Sequence, residues 1–116
     1  SLHCKLDART AGMVAAPFLR RMKRGALLVN TARGGLVNEA DLAEALRGGV
    51  IAGAALDVIE HEPPPDGHPL CALPNCIVTP HMAWMGIDAR RRLISITADN
   101  IRAWLEGCPQ NVVSKA

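Results

Sequence analysis

Apolar residues fall into short blocks separated by polar, glycine-rich or proline-rich joints, and the blocks differ in period. Ala26 to Val29 (ALLV) is a continuous apolar run between Gly25 and the polar pair Asn30–Thr31, the pattern of a parallel strand buried on both faces. The period then changes. Leu42, Ala45 and Leu46 recur at helical spacing; Asn38 is placed to cap that helix, with Asp41 at the third helical position of a capping box and Val37 and Leu42 as a hydrophobic staple. Gly48 and Gly49 stop the helix, and Ile51 to Asp57 (IAGAALD) predicts a second buried strand whose small residues let a helix pack close. Strand, helix and strand form a βαβ unit, so the two strands run parallel with their carboxyl ends on one edge of a sheet.

Around that unit the pattern predicts a short helix over Ala16–Met22 and a third strand over Cys76–Thr79 (CIVT). From Gly86 onward, Ile87, Ile94, Ala98, Ile101 and Leu105 mark one face of a long helix stopped by Gly107 and Pro109. Val58 to Asn75 holds Pro63, Pro64, Pro65, Pro69 and Pro74 and is long for a compact domain, so it is predicted to lie across the active edge. The pattern therefore gives the class as α/β with a parallel sheet. No repeat or low-complexity tract interrupts it.

Composition narrows the function classes. A length of 116 residues admits one domain at most, and 49% hydrophobic with 21% charged residues is globular. The net charge of +2 is too small to point to nucleic acid. No apolar run approaches the roughly 20 residues that span a bilayer, and signal-peptide features are lacking, which predicts a soluble cytoplasmic protein without a membrane partner. Cys4, Cys71, Cys76 and Cys108 include no CxxC pair and are read as reduced thiols. His68, Cys71 and Cys76 match no usual zinc spacing, so no metal is predicted. The chain opens on Ser-Leu-His-Cys without an initiator Met and is expected to be part of a longer protein.

Candidate chemistry sits at the strand ends. Arg33 follows the first strand, Asp57 closes the second and His81 follows the third at equal intervals of 24 residues, which suggests equivalent positions on neighbouring units at the edge where open α/β sheets bind ligands. A guanidinium matches a carboxylate with two parallel hydrogen bonds, so Arg33 suits a small organic acid, with Gly34 and Gly35 allowing close approach. The other reading is an arginine at a strand end in solvent. His81, stiffened by Pro80, can give or take a proton near neutral pH, and Glu62 in the preceding loop can orient it; a plain surface histidine fits the same spacing. His3, His61 and His68 compete, but His81 follows a strand directly and is better fixed. Asp57 reads as an acceptor for an amide or ribose group or as a turn cap, and Trp84 as a pocket wall or core residue.

The blocks "LLVNTARGGLVNEADLAEAL", "IAGAALDVIEHEPP" and "LPNCIVTPHMAW" together resemble the D-isomer-specific 2-hydroxyacid dehydrogenases over nearly the whole chain. "HMAW" and the terminal "GCPQNVV" are similar to the glycerate dehydrogenase and hydroxypyruvate reductase branch. The resemblance implies that Arg33 binds the substrate carboxylate and polarises its oxo group, that His81 is the acid/base, and that Glu62 is its partner. It implies NAD or NADP as cofactor, with Asp57 at the nicotinamide carboxamide and Thr31, Ala32 and Arg33 beside it. By the same resemblance His81, Met82, Ala83 and Trp84 close over the cofactor, and Cys4 and Thr10 stand near its adenosine half. "HCKLD" departs from the family's usual opening, with Lys5 for proline and Asp7 for threonine.

Set against that family, residues 1–116 correspond to a partial Rossmann-like, doubly wound parallel sheet, the second half of the NAD(P)-binding domain, plus a returning helix; the glycine-rich phosphate loop, the acidic ribose reader and the lid domain fall outside them. The function implied is NAD(P)-dependent oxidation or reduction at the CH–OH group of a D-2-hydroxy acid, by a homodimer when full length, with little activity in the isolated chain. Two other outputs share the pattern: an NAD-sensing corepressor of the same fold, and a truncated product without function.

Overall fold

The computed structural model describes residues 1–114, in two compact units, Ser1–Met82 and the segment from Ala83 onward. The first unit is built on a parallel sheet of β1 (Leu27–Asn30), β2 (Gly53–Leu56) and β3 (Cys76–Val78), in that spatial order. Register runs Asn30–Leu56–Val78 across the sheet, and Leu2 bridges to Asn30 on the far side of β1. The predicted α/β class and parallel order are those observed. β2 and β3 are shorter than their predicted runs, whereas β1 has the predicted length but lies one residue later and ends on Asn30.

Helix α1 covers Ala16–Leu19 and α2 covers Glu39–Arg47. The predicted helix to Met22 continues beyond Leu19 only as single turns, with Arg21 N–H on the Phe18 carbonyl and Met22 N–H on the Leu19 carbonyl. Asn38 caps α2, its Oδ1 accepting the Asp41 N–H at 3.0 Å, and Val37 and Leu42 are both buried as a staple requires. The second half of the capping box is replaced. Asp41 Oδ2 instead accepts the Ala16 N–H at 2.6 Å, and the Asn38 N–H goes to the Val14 carbonyl at 3.0 Å. One carboxylate thus serves the start of α1 from the first turn of α2, because the Val14–Val37 bridge brings the two helix entrances together.

The core lies on the α2 side of the sheet, where Leu28, Leu36, Leu42, Leu46, Ile51, Leu56 and Leu70 are buried. On the opposite face Leu27 is 67% and Ile77 65% exposed. The cause is the period of two. Leu28 and Asn30 point into the core, while Leu27 lies against Gly53 on the open face, its Cδ2 3.2 Å from where a Gly53 Cβ would be.

In the second unit a short 3₁₀ turn, Ala83–Met85, precedes α3, Ile87–Leu105. Its predicted apolar face is present but exposed, with Ile94 at 70% and Leu105 at 72%. No helix among the described residues is long and apolar enough to cross a membrane.

Candidate active site

Polar residues at the carboxyl ends of the strands are each held by a short-range device. Asn30, the last residue of β1, is fully buried. Its Oδ1 accepts the Ala32 N–H at 3.0 Å and its Nδ2 donates to the Arg33 carbonyl at 2.9 Å, closing the turn that carries Thr31, Ala32 and Arg33. Thr31 and Arg33 stand exposed on that turn, and Arg33 Nη1 donates to the Ala32 carbonyl at 2.6 Å. Sequence reasoning took Asn30 only as the polar end of an apolar run. The signal was an amide side chain two residues ahead of the loop it closes.

Asp57, one residue past β2, is 6% exposed. Its Oδ1 accepts the Thr79 hydroxyl at 2.5 Å and the Met82 N–H at 2.9 Å, while its carbonyl accepts the His81 N–H at 2.9 Å. Asp57 therefore caps the turn after β3. That turn holds His81 at φ +52°, a left-handed conformation that a histidine adopts only where its surroundings impose it. Thr79, which the sequence did not single out, is part of the same support.

His81 Nδ1 lies 2.8 Å from Glu62 Oε2, and Glu62 Oε1 accepts the Ile59 N–H at 3.2 Å. The bond to His81 holds the Glu62 carboxyl below the usual carboxylate range; burial pushes it back up in part, the Ile59 N–H lowers it further, and Asp57 is the least of the opposing causes. Glu62 is thus an anion at neutral pH. The pair borders a cavity of about 540 Å³ that includes Asp57, Ile59, Thr79 and Pro80 in its wall. The Glu62–Pro63 peptide is cis.

Asp57, Glu62 and His81 are brought together; Arg33 is not in that cavity wall but is tied to it through the backbone. A Cβ on Gly34 would sit 1.9 Å from the Ile59 carbonyl carbon and 2.4 Å from the Glu60 nitrogen, so the Arg33 turn packs directly on the chain leading to Glu62. The equal sequence intervals do not correspond to equal register. Arg33 and His81 each stand three residues past the aligned row Asn30–Leu56–Val78, whereas Asp57 stands one past it.

Cys4 and Thr10 lie away from the cavity. Cys4 packs against the core, and the Thr10 hydroxyl closes its own turn, donating to the Lys5 carbonyl at 2.8 Å and accepting the Asp7 N–H at 2.8 Å. Met82 is 43% exposed; Ala83 and Trp84 belong to the second unit, where Trp84 is 57% exposed, not the core residue its size suggests. The four cysteines are free, and among the described residues no group of three or more His, Cys, Asp or Glu side chains is placed to hold a metal.

The sequence profile described as D-isomer specific 2-hydroxyacid dehydrogenase, NAD binding domain, matches residues 1–83. The chain belongs to this family. It is 51% identical over 115 residues to a glycerate dehydrogenase of Methylorubrum extorquens, covering 97% of this chain and 37% of that protein. It is 42% identical to a hydroxypyruvate reductase of Blautia hydrogenotrophica, covering 99% of this chain and 36% of that protein. Among solved structures, a D-isomer-specific 2-hydroxyacid dehydrogenase from Xanthobacter autotrophicus Py2 in complex with NADPH and MES superposes with a TM-score of 0.80 at 44% identity. That match covers 94% of this chain and 45% of the other. The chain thus spans little more than a third of the curated relatives it matches.

Membership gives the site residues a nucleotide to be tested against. The buried Asp57 carboxylate beside an open cavity is an acceptor suited to an amide donor, and the Asn30-locked turn presents Thr31 and Arg33 at the ligand-binding edge of the sheet. These groups fit the nicotinamide half of NAD or NADP.

Proposed function

We propose that the full-length protein carrying this chain is an NAD(P)-dependent oxidoreductase acting as a homodimer on a D-2-hydroxy acid. Hydroxypyruvate or glyoxylate is its reducible substrate and glycerate its oxidisable one. The observation that carries the reading is the 2.8 Å His81–Glu62 contact at the carboxyl edge of a parallel sheet in this family.

The bound nicotinamide supplies or accepts the hydride. Asp57, Thr31, Ala32 and Met82 are assigned to its nicotinamide half, with Cys4 and Thr10 toward the adenosine. Arg33 takes the substrate carboxylate in its planar fork and draws electron density from the neighbouring oxo group. With Nδ1 committed to Glu62, His81 exchanges the hydroxyl proton at Nε2, giving it during reduction and taking it during oxidation. The Glu62 anion fixes the ring and balances the imidazolium charge, the role a carboxylate plays behind any acid/base histidine.

The test is steady-state reduction of hydroxypyruvate, glyoxylate and pyruvate by the full-length protein, with NADH and with NADPH, beside His81→Gln. Turnover is expected with at least one acid, and the substitution is expected to lower kcat by about 10²- to 10⁴-fold. Tight NADH binding with no turnover of any acid would replace this reading with a nucleotide-sensing one.

A further inference from the structure

We propose that Glu39 is a positioning residue for the Glu62–His81 pair: with His68 it clasps both ends of the loop that carries Glu62. The proposal rests on the catalytic reading above and adds to it a residue that touches neither substrate nor cofactor.

Glu39 opens α2 and its side chain is only 16% exposed. Oε1 accepts the Glu60 N–H at 2.8 Å, and Oε2 lies 3.1 Å from His68 Nε2. One carboxylate therefore grips the loop two residues before Glu62 and again six residues after it. The His68 side chain is 10% exposed, and its Nδ1 is buried without a hydrogen-bond partner. This favours the tautomer in which Nε2 carries the hydrogen and donates it to Glu39, because a buried bare lone pair is less costly than a buried unpaired N–H. Among the described residues the ring hydrogen-bonds to Glu39 alone, so the clasp is its polar attachment. Leu70, fully buried just beyond, anchors the same end by packing.

On the His68 side Pro63, Pro64 and Pro65 restrict the backbone next to Glu62, and on the other side the Glu60 grip is only two residues away from it. Glu62 faces three groups in its surroundings: His81 and the Ile59 N–H, which favour its anion, and Asp57, which opposes it. The Ile59–Glu60 peptide lies between the Gly34 contact and the Glu39 carboxylate, so releasing Glu39 frees one side of the turn from which the Ile59 N–H reaches Glu62.

The test uses the full-length protein with Glu39→Ala, Glu39→Gln and His68→Ala, following the Glu62 carboxyl by ¹³C NMR through an acid titration and measuring kcat and KM separately. In Glu39→Ala the Glu62 titration is expected to move up toward the ordinary range, while Asp7, held low mainly by the Arg9 N–H, stays where it is. The kcat should fall by about 10- to 100-fold, as for sub-ångström to ångström displacement of a catalytic group. KM for the oxo acid should change less than kcat, because the Arg33 turn keeps its own Asn30 bonds and meets the clasp only through Gly34. Glu39→Gln keeps an acceptor for the Glu60 N–H and should recover most of kcat. His68→Ala loses one grip, should shift Glu62 the same way by less, and carries the test if Glu39→Ala does not fold. An unmoved Glu62 titration in either folded variant, or kcat and KM changing together, overturns the proposal. Absence of turnover in the unaltered protein would sink the catalytic reading while the titration still decides the clasp.

Discussion

At the scale of single residues the site depends on groups whose chemistry is unremarked in the reaction itself. Gly34 is the sharpest case. A methyl there would meet the Ile59 carbonyl carbon at 1.9 Å and its oxygen at 2.1 Å, both backbone atoms that cannot rotate aside. Gly34→Ala is therefore expected to push the Ile59–Glu60 turn off the Arg33 loop, at about 1–3 kcal/mol of stability as for other overpacked positions. In the full-length protein kcat should drop because Glu62 and Arg33 lose their common support. Thermal melting and steady-state kinetics check the two effects, and a Gly34→Ala protein with unchanged melting and turnover would mean that the turn relaxes freely. Gly35 offers the contrast: its added Cβ would meet only a Leu6 methyl at 3.0 Å, which a flexible side chain can yield.

At the scale of elements, the two helix entrances share polar partners. Asp41 accepts the Ala16 N–H that begins α1 while its own N–H goes to Asn38, so a chain of two side chains ties the start of α1 to the start of α2. Removing the carboxylate in Asp41→Ala should cost about 1 kcal/mol, the usual worth of an N-cap, whereas Asp41→Asn keeps an acceptor and most of that stability. Urea unfolding reads this as a lower midpoint at unchanged slope. Equal losses from both substitutions would show that the contact acts through charge alone. This link was half legible beforehand. Asn38, Asp41, Val37 and Leu42 announce an α2 entrance by their spacing, but local sequence cannot reveal that Asp41 serves a helix 25 residues away. The strand ends were legible in the same partial way: ALLV and CIVT announce strands, but pairing sets where each stops, at Asn30 for β1 and at Val78 for β3. Arg33, Glu62 and His81 stood out because their side chains carry chemistry. Asn30, Glu39 and Thr79 did not, and His68 stood out only as a rival acid/base or zinc ligand, because their work is to hold the chain and holding partners are set by tertiary contact.

At the scale of the whole molecule, the titrating groups set a stability profile with opposite causes at its two ends. Glu62 and Asp7 both have carboxyls held low in the folded chain, Glu62 chiefly by His81 and Asp7 chiefly by the Arg9 N–H. An acid whose folded pKa is depressed adds stability that is complete above its unfolded value, about 4, and is lost as pH falls through the folded value. Both groups are largely solvated, so their share is small. Cys76 works in the other direction. Burial, with Cys71 nearby as a lesser cause, pushes its thiol up to about 11, so the folded chain keeps a proton that the unfolded chain releases near pH 8.5. The contribution of Cys76 is complete below the unfolded value and disappears as pH rises from about 8.5 toward about 11. Melting temperature in the full-length protein should therefore decline across that alkaline window, and Cys76→Ala should flatten the decline while leaving the acid limb as it was. The acid limb should flatten instead in Glu62→Gln. A Cys76→Ala protein with the original alkaline slope would show that the thiol ionises as readily in the fold as in water, and that its place beside β2 shields it less than its burial implies.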